Sequence, residues 1–319
     1  MKQKVIVIHH SADYDGIFCR EIARKFLPDA ELIGWDFPDK PLEIPECDVL
    51  YVMDLPLDRP FGFVWNKEHH SHRYFKGEVI WIDHHKSSID THPTEIPGYR
   101  IDGVAACRLA WQWFTHQAEW EKAPPPMDYE LPGKHAYVDR IVSEPLAVRL
   151  AGEYDIWDKR DPDAEVFQFG LRSKDLSPED WRWLLTVADG NRLGEYELGM
   201  ANFTVSKLLQ DGRLLQRYQQ QTDASVVNHR SFLVEFDGLK FLALNTARCN
   251  SLTFAAKDVP ETGHDALMGF YWNGKAWNFS LYHAKHRTDL DLSKIAVNHG
   301  GGGHRGACGF QTQNFPHWL

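Results

Sequence analysis

The segment Val79-Ile80-Trp81-Ile82 runs without a polar break into Asp83-His84-His85. An apolar run this short, with β-branched members, reads as a strand buried on both faces. Such strands belong to parallel sheets, and open sheets of this kind bind ligands beyond the carboxyl ends of their strands. The same design occurs twice upstream. Val5-Ile6-Val7-Ile8 opens into His9-His10-Ser11-Ala12-Asp13-Tyr14-Asp15-Gly16, and Val49-Leu50-Tyr51-Val52-Met53 opens into Asp54. Three strand ends thus deliver Asp13, Asp15, Asp54 and Asp83, together with several imidazoles, to one edge of a sheet.

Four carboxylates held close together repel one another unless cations neutralise them. A strand-end acid can serve only as the cap of the next helix, but four of them with adjacent histidines point to a divalent metal centre. Mixed oxygen and imidazole ligands suit manganese, magnesium or iron better than a thiolate zinc site, and two such ions a few Å apart form a phosphoester-cleaving clamp.

Alternation of strands and helices makes the chain α/β, with a doubly wound, mainly parallel sheet in its first part. Helical spacing follows the first strand from Gly16 to Phe26, Glu31 to Gly34 is a further strand, and helices are expected over Ala105 to His116 and from His135 through Leu150. Gly194 to Gln221 reads as a long connecting helix. Beyond it the period changes to that of strands, with Asp237-Gly238 and Asn273-Gly274 as hairpin turns. The expected organisation is a catalytic domain over 1–193, a connecting helix over 194–223 and a smaller α+β domain over 224–319. In the last of these, Asp289 to His299 reads as a capped helix leading into Gly300-Gly301-Gly302-Gly303-His304-Arg305. Glycine backbone lets N–H groups approach an anion closely, and His304 and Arg305 add donors suited to phosphate. Arg248, Asn250, Ser280, Tyr282 and Arg287 are weaker candidates for the same face. The histidine-rich stretch Phe61 to His72 has no carboxylates arranged around it and reads as a solvated loop.

Charge restricts the partners. With 45 acidic against 35 basic residues and a net charge of −10, the chain lacks the basic face that a long duplex requires. One or two phosphates held by local cations remain compatible with it. No apolar run approaches the ~20 residues of a membrane span, and no signal-peptide core follows Met1, so a cytoplasmic protein is expected. The five cysteines are widely spaced and never form a CxxC pair, which argues against a disulfide framework or a thiolate zinc site.

The motifs His9-x3-Asp13-x-Asp15-Gly16, Asp54 after a strand, and Ile82-Asp83-His84-His85-Lys86 resemble the first three motifs of the DHH phosphoesterase superfamily. Gly300 to Phe310 resembles the glycine-rich signature of its associated C-terminal domain. The two sets bracket nearly the whole chain in the family order. The resemblance implies two divalent cations, Mn2+ foremost with Mg2+ or Fe2+ as alternatives. His9, Asp13 and Asp54 would hold one, and Asp15, Asp54, His84 and Asp155 the other, Asp54 bridging. Asp155 stands where the family carries a fourth metal-binding acid, with Asp158 as the alternative. Catalytic roles fall to Asp83, orienting a ligand histidine, and to His85, facing the scissile phosphate. Gly301, Gly302, Gly303, His304 and Arg305 would grip the substrate from the second domain, across a cleft between the two.

Among the branches of the superfamily the pattern is most similar to the nanoRNase or oligoribonuclease branch. This implies hydrolysis of short RNA oligonucleotides or dinucleotides to nucleoside monophosphates. A cyclic-nucleotide or linear-dinucleotide phosphodiesterase, a pyrophosphatase and a non-catalytic nucleotide sensor are the alternatives. The oligomeric state is left open, a homodimer included.

Overall fold

The computed structural model describes residues 3–314 apart from 38, 44–45, 62–76, 93–94, 124, 126–128, 159, 188–194 and 248. The histidine-rich stretch after Phe61 and the candidate Arg248 lie outside these residues. The chain divides into two compact units, Met1–Leu215 and Gln216–Leu319.

The first unit is built on four parallel strands, β1 (Val5–His10), β2 (Glu31–Trp35), β3 (Val49–Met53) and β4 (Glu78–Ile82), in the order β2-β1-β3-β4. The chain steps from β1 to one side and then returns to the other, so the order reverses between β1 and β3. This is the topological switch point at which such sheets bind ligands. Register sets His9 opposite Met53 and Met53 opposite Ile82. The next residues along the three strands are His10, Asp54 and Asp83, which therefore form one row at the sheet's edge.

The continuous apolar runs follow from burial on both faces. Val7, Met53 and Ile82 join the core under α1 (Tyr14–Phe26), α3 (Ala106–Trp120) and α5 (Leu146–Asp155), while Ile6, Ile8, Val52 and Trp81 pack on the opposite face with Leu55 and Ile96. A short α2 (Lys86–Ile89) lies between β4 and α3. Helix α1 begins where the Asp13 carboxylate accepts the Gly16 N–H at 3.0 Å. Gly16 is required there, since a Cβ would meet the His10 carbonyl oxygen at 2.2 Å.

The helix expected from His135 through Leu150 is two helices, α4 (Lys134–Val138) and α5. Pro145 restricts the residue before it and has no N–H to continue a helix, so it stands as the N-cap of α5 instead. The break places Glu144 where it holds the buried Arg108, whose Nε lies 3.0 Å from each carboxylate oxygen. Helices α6 (Asp163–Leu171) and α7 (Pro178–Leu184) complete the layer, and α8 (Glu195–Arg230) runs from the first unit into the second. The division between the units falls inside α8, between Leu215 and Gln216. Among the described residues, no helix is long and apolar enough to cross a membrane.

The second unit is a six-stranded mixed sheet, β5 (Phe232–Phe236), β6 (Leu239–Asn245), β7 (Ala266–Trp272), β8 (Trp277–His283), β9 (Gly302–His304) and β10 (Ala307–Thr312), with α9 (Ser293–Asn298) against it. Its order is β5-β6-β7-β8-β10-β9, and only β6 and β7 pair in parallel. Asp237 and Gly238, at φ 50° and 75°, make the tight turn between β5 and β6. The glycine-rich motif is the edge hairpin β9–β10. Gly303 takes φ 129° there, and a Cβ on it would approach Cys308 Cα to 2.6 Å.

Candidate metal centre

All the strand-end acids of the first unit converge, and they do so around Asp54. This residue closes β3 in a left-handed conformation, φ 57°, with its N–H on the Ile82 carbonyl at 2.9 Å. Its carboxylate is 2% exposed, and its two oxygens serve two different groups. Oδ2 lies 3.4 Å from His10 Nδ1, and that same nitrogen is 3.0 Å from Asp13 Oδ2. Oδ1 lies 3.4 Å from His84 Nε2, which is 3.4 Å from Asp155 Oδ2 and 3.6 Å from Asp15 Oδ2. Within each of two triads, His10-Asp13-Asp54 and Asp15-His84-Asp155, the potential ligand atoms lie within 4.8 Å of one another.

Each member is held by the local fold. Asp15 is buried in α1, and its two oxygens accept the Ala106 and Cys107 N–H groups at 2.8 and 2.7 Å, so it anchors the first turn of α3. Capping and ligand geometry thus coexist in Asp13 and Asp15. Asp155 ends α5. Asp158, the alternative, is turned away into an ion pair with Arg160. Asp83 Oδ1 accepts the His84 N–H at 2.8 Å and lies 2.6 Å from His85 Nδ1. It therefore fixes the ring of His85 and only the backbone of His84.

The structure departs from the expected ligand set at His9. The His9 ring donates from Nδ1 to the His10 carbonyl at 2.7 Å and packs toward Gly34 of β2, and it is absent from both triads. Neighbouring residues of a strand face opposite sides, so only one of two consecutive histidines can turn to Asp13 and Asp54, and here it is His10. Asp36, the residue after β2, stands 3.3 Å from His10 Nε2 and orients the ring from behind. His10 and Asp36 are the residues that the structure brings to this group and the motif spacing does not name. Asp36 follows the same strand-then-acid signal as the other three.

Electrostatics suit the group to a cation. Burial, reinforced by the Asp54 charge, pushes Asp15 up to about 7, and burial with the charges of Asp15 and Asp54 drives Asp155 well above the usual carboxylate range. Burial would also raise Asp54, but the imidazoles of His10 and His84 hold it below the ordinary value. Burial opposes charge on those imidazoles in turn, yet Asp13 and Asp54 raise His10 to about 11, and Asp54 and Asp15 raise His84 to about 10. Without metal, two imidazolium protons supply the positive charge that the acids require. Asp54 Oδ2 is nonetheless buried with no completed hydrogen bond, its contact with His10 Nδ1 at 3.4 Å being an ion-pair contact only. An orphaned carboxylate oxygen, acids too crowded to ionise together and an oxygen-plus-imidazole donor set all fit hard divalent cations.

In the second unit, Gly301, Gly302, Gly303 and His304 are exposed on the edge hairpin. Arg305 has a different task from the expected phosphate contact. Its guanidinium donates to the Leu290 carbonyl at 3.0 Å and to that of Asp289, tying down the connection before α9. The weaker candidates are also engaged locally. Asn250 caps the turn Ser251–Phe254, Tyr282 donates to the Cys249 carbonyl, and Arg287 pairs with Asp265 and Asp289.

This architecture is that of the DHH fold. A DHH domain from a member of the s1p family of ribosomal proteins aligns with a TM-score of 0.52 at 14% identity, over 96% of this chain and 82% of that one. Two further solved structures align less closely. The pGpG-specific phosphodiesterase PggH from Vibrio cholerae gives a TM-score of 0.45 at 13% identity, over 98% of this chain and 94% of its own. RecJ from Thermus thermophilus in complex with Mg2+ gives 0.48 at 16% identity, over 97% and 47%. No protein-family profile and no curated protein matches the sequence.

Proposed function

We propose that the first unit is a divalent-metal-dependent phosphoesterase that hydrolyses short oligoribonucleotides to nucleoside monophosphates. The observation that carries the reading is the split of Asp54, one oxygen toward His10 and Asp13, the other toward His84, with Asp15 and Asp155 beyond it. That arrangement suits two cations sharing one carboxylate, which when bound would activate water and neutralise charge developing on the phosphoryl oxygens. His10, Asp13 and Asp54 would hold one, and Asp15, Asp54, His84 and Asp155 the other.

The chain's own groups supply the rest. Burial works against a charged His85, but Asp83 outweighs it and raises the ring's pKa, so the ring carries its proton more readily than a free histidine. With Nδ1 held on Asp83, Nε2 is the nitrogen left to donate to a phosphate oxygen or to the leaving oxygen. In the second unit, the exposed backbone of Gly301 to Gly303 and the His304 ring have the chemistry to bind a phosphate. The net charge of −10 favours short substrates over polymers.

The deciding experiment is a panel of a linear RNA dinucleotide, a five-nucleotide RNA, a cyclic dinucleotide and pyrophosphate, each with Mn2+, with Mg2+ and with excess chelator. The expected outcome is metal-dependent release of nucleoside monophosphates from the two linear RNAs. Cleavage confined to pyrophosphate or to the cyclic compound would replace the substrate assignment, and turnover in chelator by demonstrably metal-free protein would overturn the mechanism.

A further inference from the structure

From the geometry of the second unit we infer a separate divalent-metal site formed by Asp258, His264 and His286, of the kind that takes zinc. One carboxylate oxygen and one ring nitrogen from each histidine lie within 4.8 Å of one another. Asp258 and His264 come from the connection between β6 and β7, and His286 from the segment that follows β8. Two imidazoles and one carboxylate are a ligand set for zinc and its first-row neighbours, with a position left for water.

Two features separate this trio from an ordinary surface cluster. Asp258 and His264 are each 3% exposed, and among the described residues no lysine or arginine side chain pairs with the buried carboxylate. A buried charge of this kind normally has a cationic partner. His264 Nε2 lies 3.1 Å from Asp258 Oδ1, close to the spacing of about 3.4 Å expected between neighbouring ligands on bonds of about 2.1 Å around a tetrahedral ion.

His286 is held in the manner of a ligand. Its Nε2 donates to the His264 carbonyl at 2.9 Å, which fixes the tautomer and leaves the lone pair on Nδ1, and its ring stands edge-on to that of His264 with centroids 5.1 Å apart. Backbone carbonyls commonly orient metal-binding histidines in this way. The carboxylate is braced as well, by the Lys285 N–H at 3.3 Å from both oxygens.

A metal here would clasp the β6–β7 connection to the segment after β8. That segment leads to Asp289 and Leu290, whose carbonyls receive Arg305, so the clasp would steady the base of the glycine-rich hairpin.

The test uses the full chain, stripped with chelator and dialysed against buffered Zn2+, with bound zinc measured alongside thermal stability. His286 is exposed, and His286→Gln keeps a donor for the His264 carbonyl while removing the imidazole. Wild type should bind one more zinc than His286→Gln, with loss of affinity at that site beyond the ~10–100-fold that even a supporting partner is worth. The extra zinc should also raise the melting temperature of wild type and not of the variant. Asp258→Asn should lose the same equivalent, and Mn2+-dependent hydrolysis by His286→Gln should match wild type when assayed without zinc. Equal zinc content and equal thermal shifts in wild type and His286→Gln would overturn the assignment and leave the trio as a hydrogen-bonded loop clasp.

Discussion

Asp54→Asn is the sharpest perturbation of the first unit, because it changes one atom and one charge at the point where both triads meet. The amide keeps an acceptor on one side only and turns an N–H2 toward either His10 or His84, each 3.4 Å from the present oxygens. Loss of a single preorganised electrostatic group at a reacting centre costs about 2.7–4 kcal/mol, or 10²- to 10³-fold in rate. Because the carboxylate is shared, about 100-fold in kcat/KM is the lower bound, and bound metal should fall from two equivalents to one or fewer. A second readout needs no substrate. In metal-free protein the folded-state pKa values of His10 and His84, about 11 and about 10, lie above the ordinary 6.5. Their contribution to stability is therefore complete below pH 6.5 and disappears as pH rises through about 10 to 11. Melting temperature in chelator should decline over that window in wild type and decline less in Asp54→Asn, which has lost the shared counter-charge. Near-normal kcat/KM with two bound ions in the variant, or the same pH slope in both proteins, would refute the bridging role.

Metal binding should release protons at neutral pH, from the two imidazoles and from Asp15 at about 7, so Mn2+ affinity should climb between pH 6 and 8. Calorimetry in buffers of different ionisation heat checks this, and a pH-independent affinity would contradict it. His10→Ala should lose one equivalent of metal and at least ~30-fold in kcat/KM, about 2 kcal/mol, whereas folded His9→Gln should retain both ions. Asp155→Asn should reduce metal content and activity together, while Asp158→Asn, which removes a surface ion pair worth ~1 kcal/mol or less, should leave both intact. Arg305→Ala should lower the melting temperature through loss of two hydrogen bonds to carbonyls, about 1–2 kcal/mol, and Arg305→Lys should not restore it. An increase in KM with unchanged stability would return Arg305 to the substrate.

The sheet and its acids were legible because each strand of the site is a short apolar run that ends abruptly in charge, a pattern local in sequence and tied to burial on both faces. The choice between His9 and His10 was not legible. It depends on which side chain faces Asp13 once β1 twists into register with β3, and the motif spacing counts residues without saying where a strand ends. The apolar spacing continues across Pro145 and so predicts α5 too far toward its N-terminus, and the backbone restriction of Pro145 overrides it. Arg305 looked like a phosphate ligand beside four glycines, and the carbonyls that engage it come from residues 15 and 16 positions earlier, a contact no local pattern reveals. Asp36 could have been found, since it follows a strand as directly as Asp54 does.

The grip of Asp15 on the first amides of α3 gives the metal centre a reporter outside itself. Oδ2, the oxygen 3.6 Å from His84 Nε2, accepts the Ala106 N–H, and Oδ1 of the same carboxylate accepts that of Cys107. Any change in their charge is felt at the positive end of a 15-residue helix. Deuterium uptake at those two amides should therefore track occupancy of the centre, slow when Asp15 is fully ionised against a cation and faster when it takes up a proton. An observer following only the start of α3 could tell a loaded molecule from an empty one without substrate, dye or label.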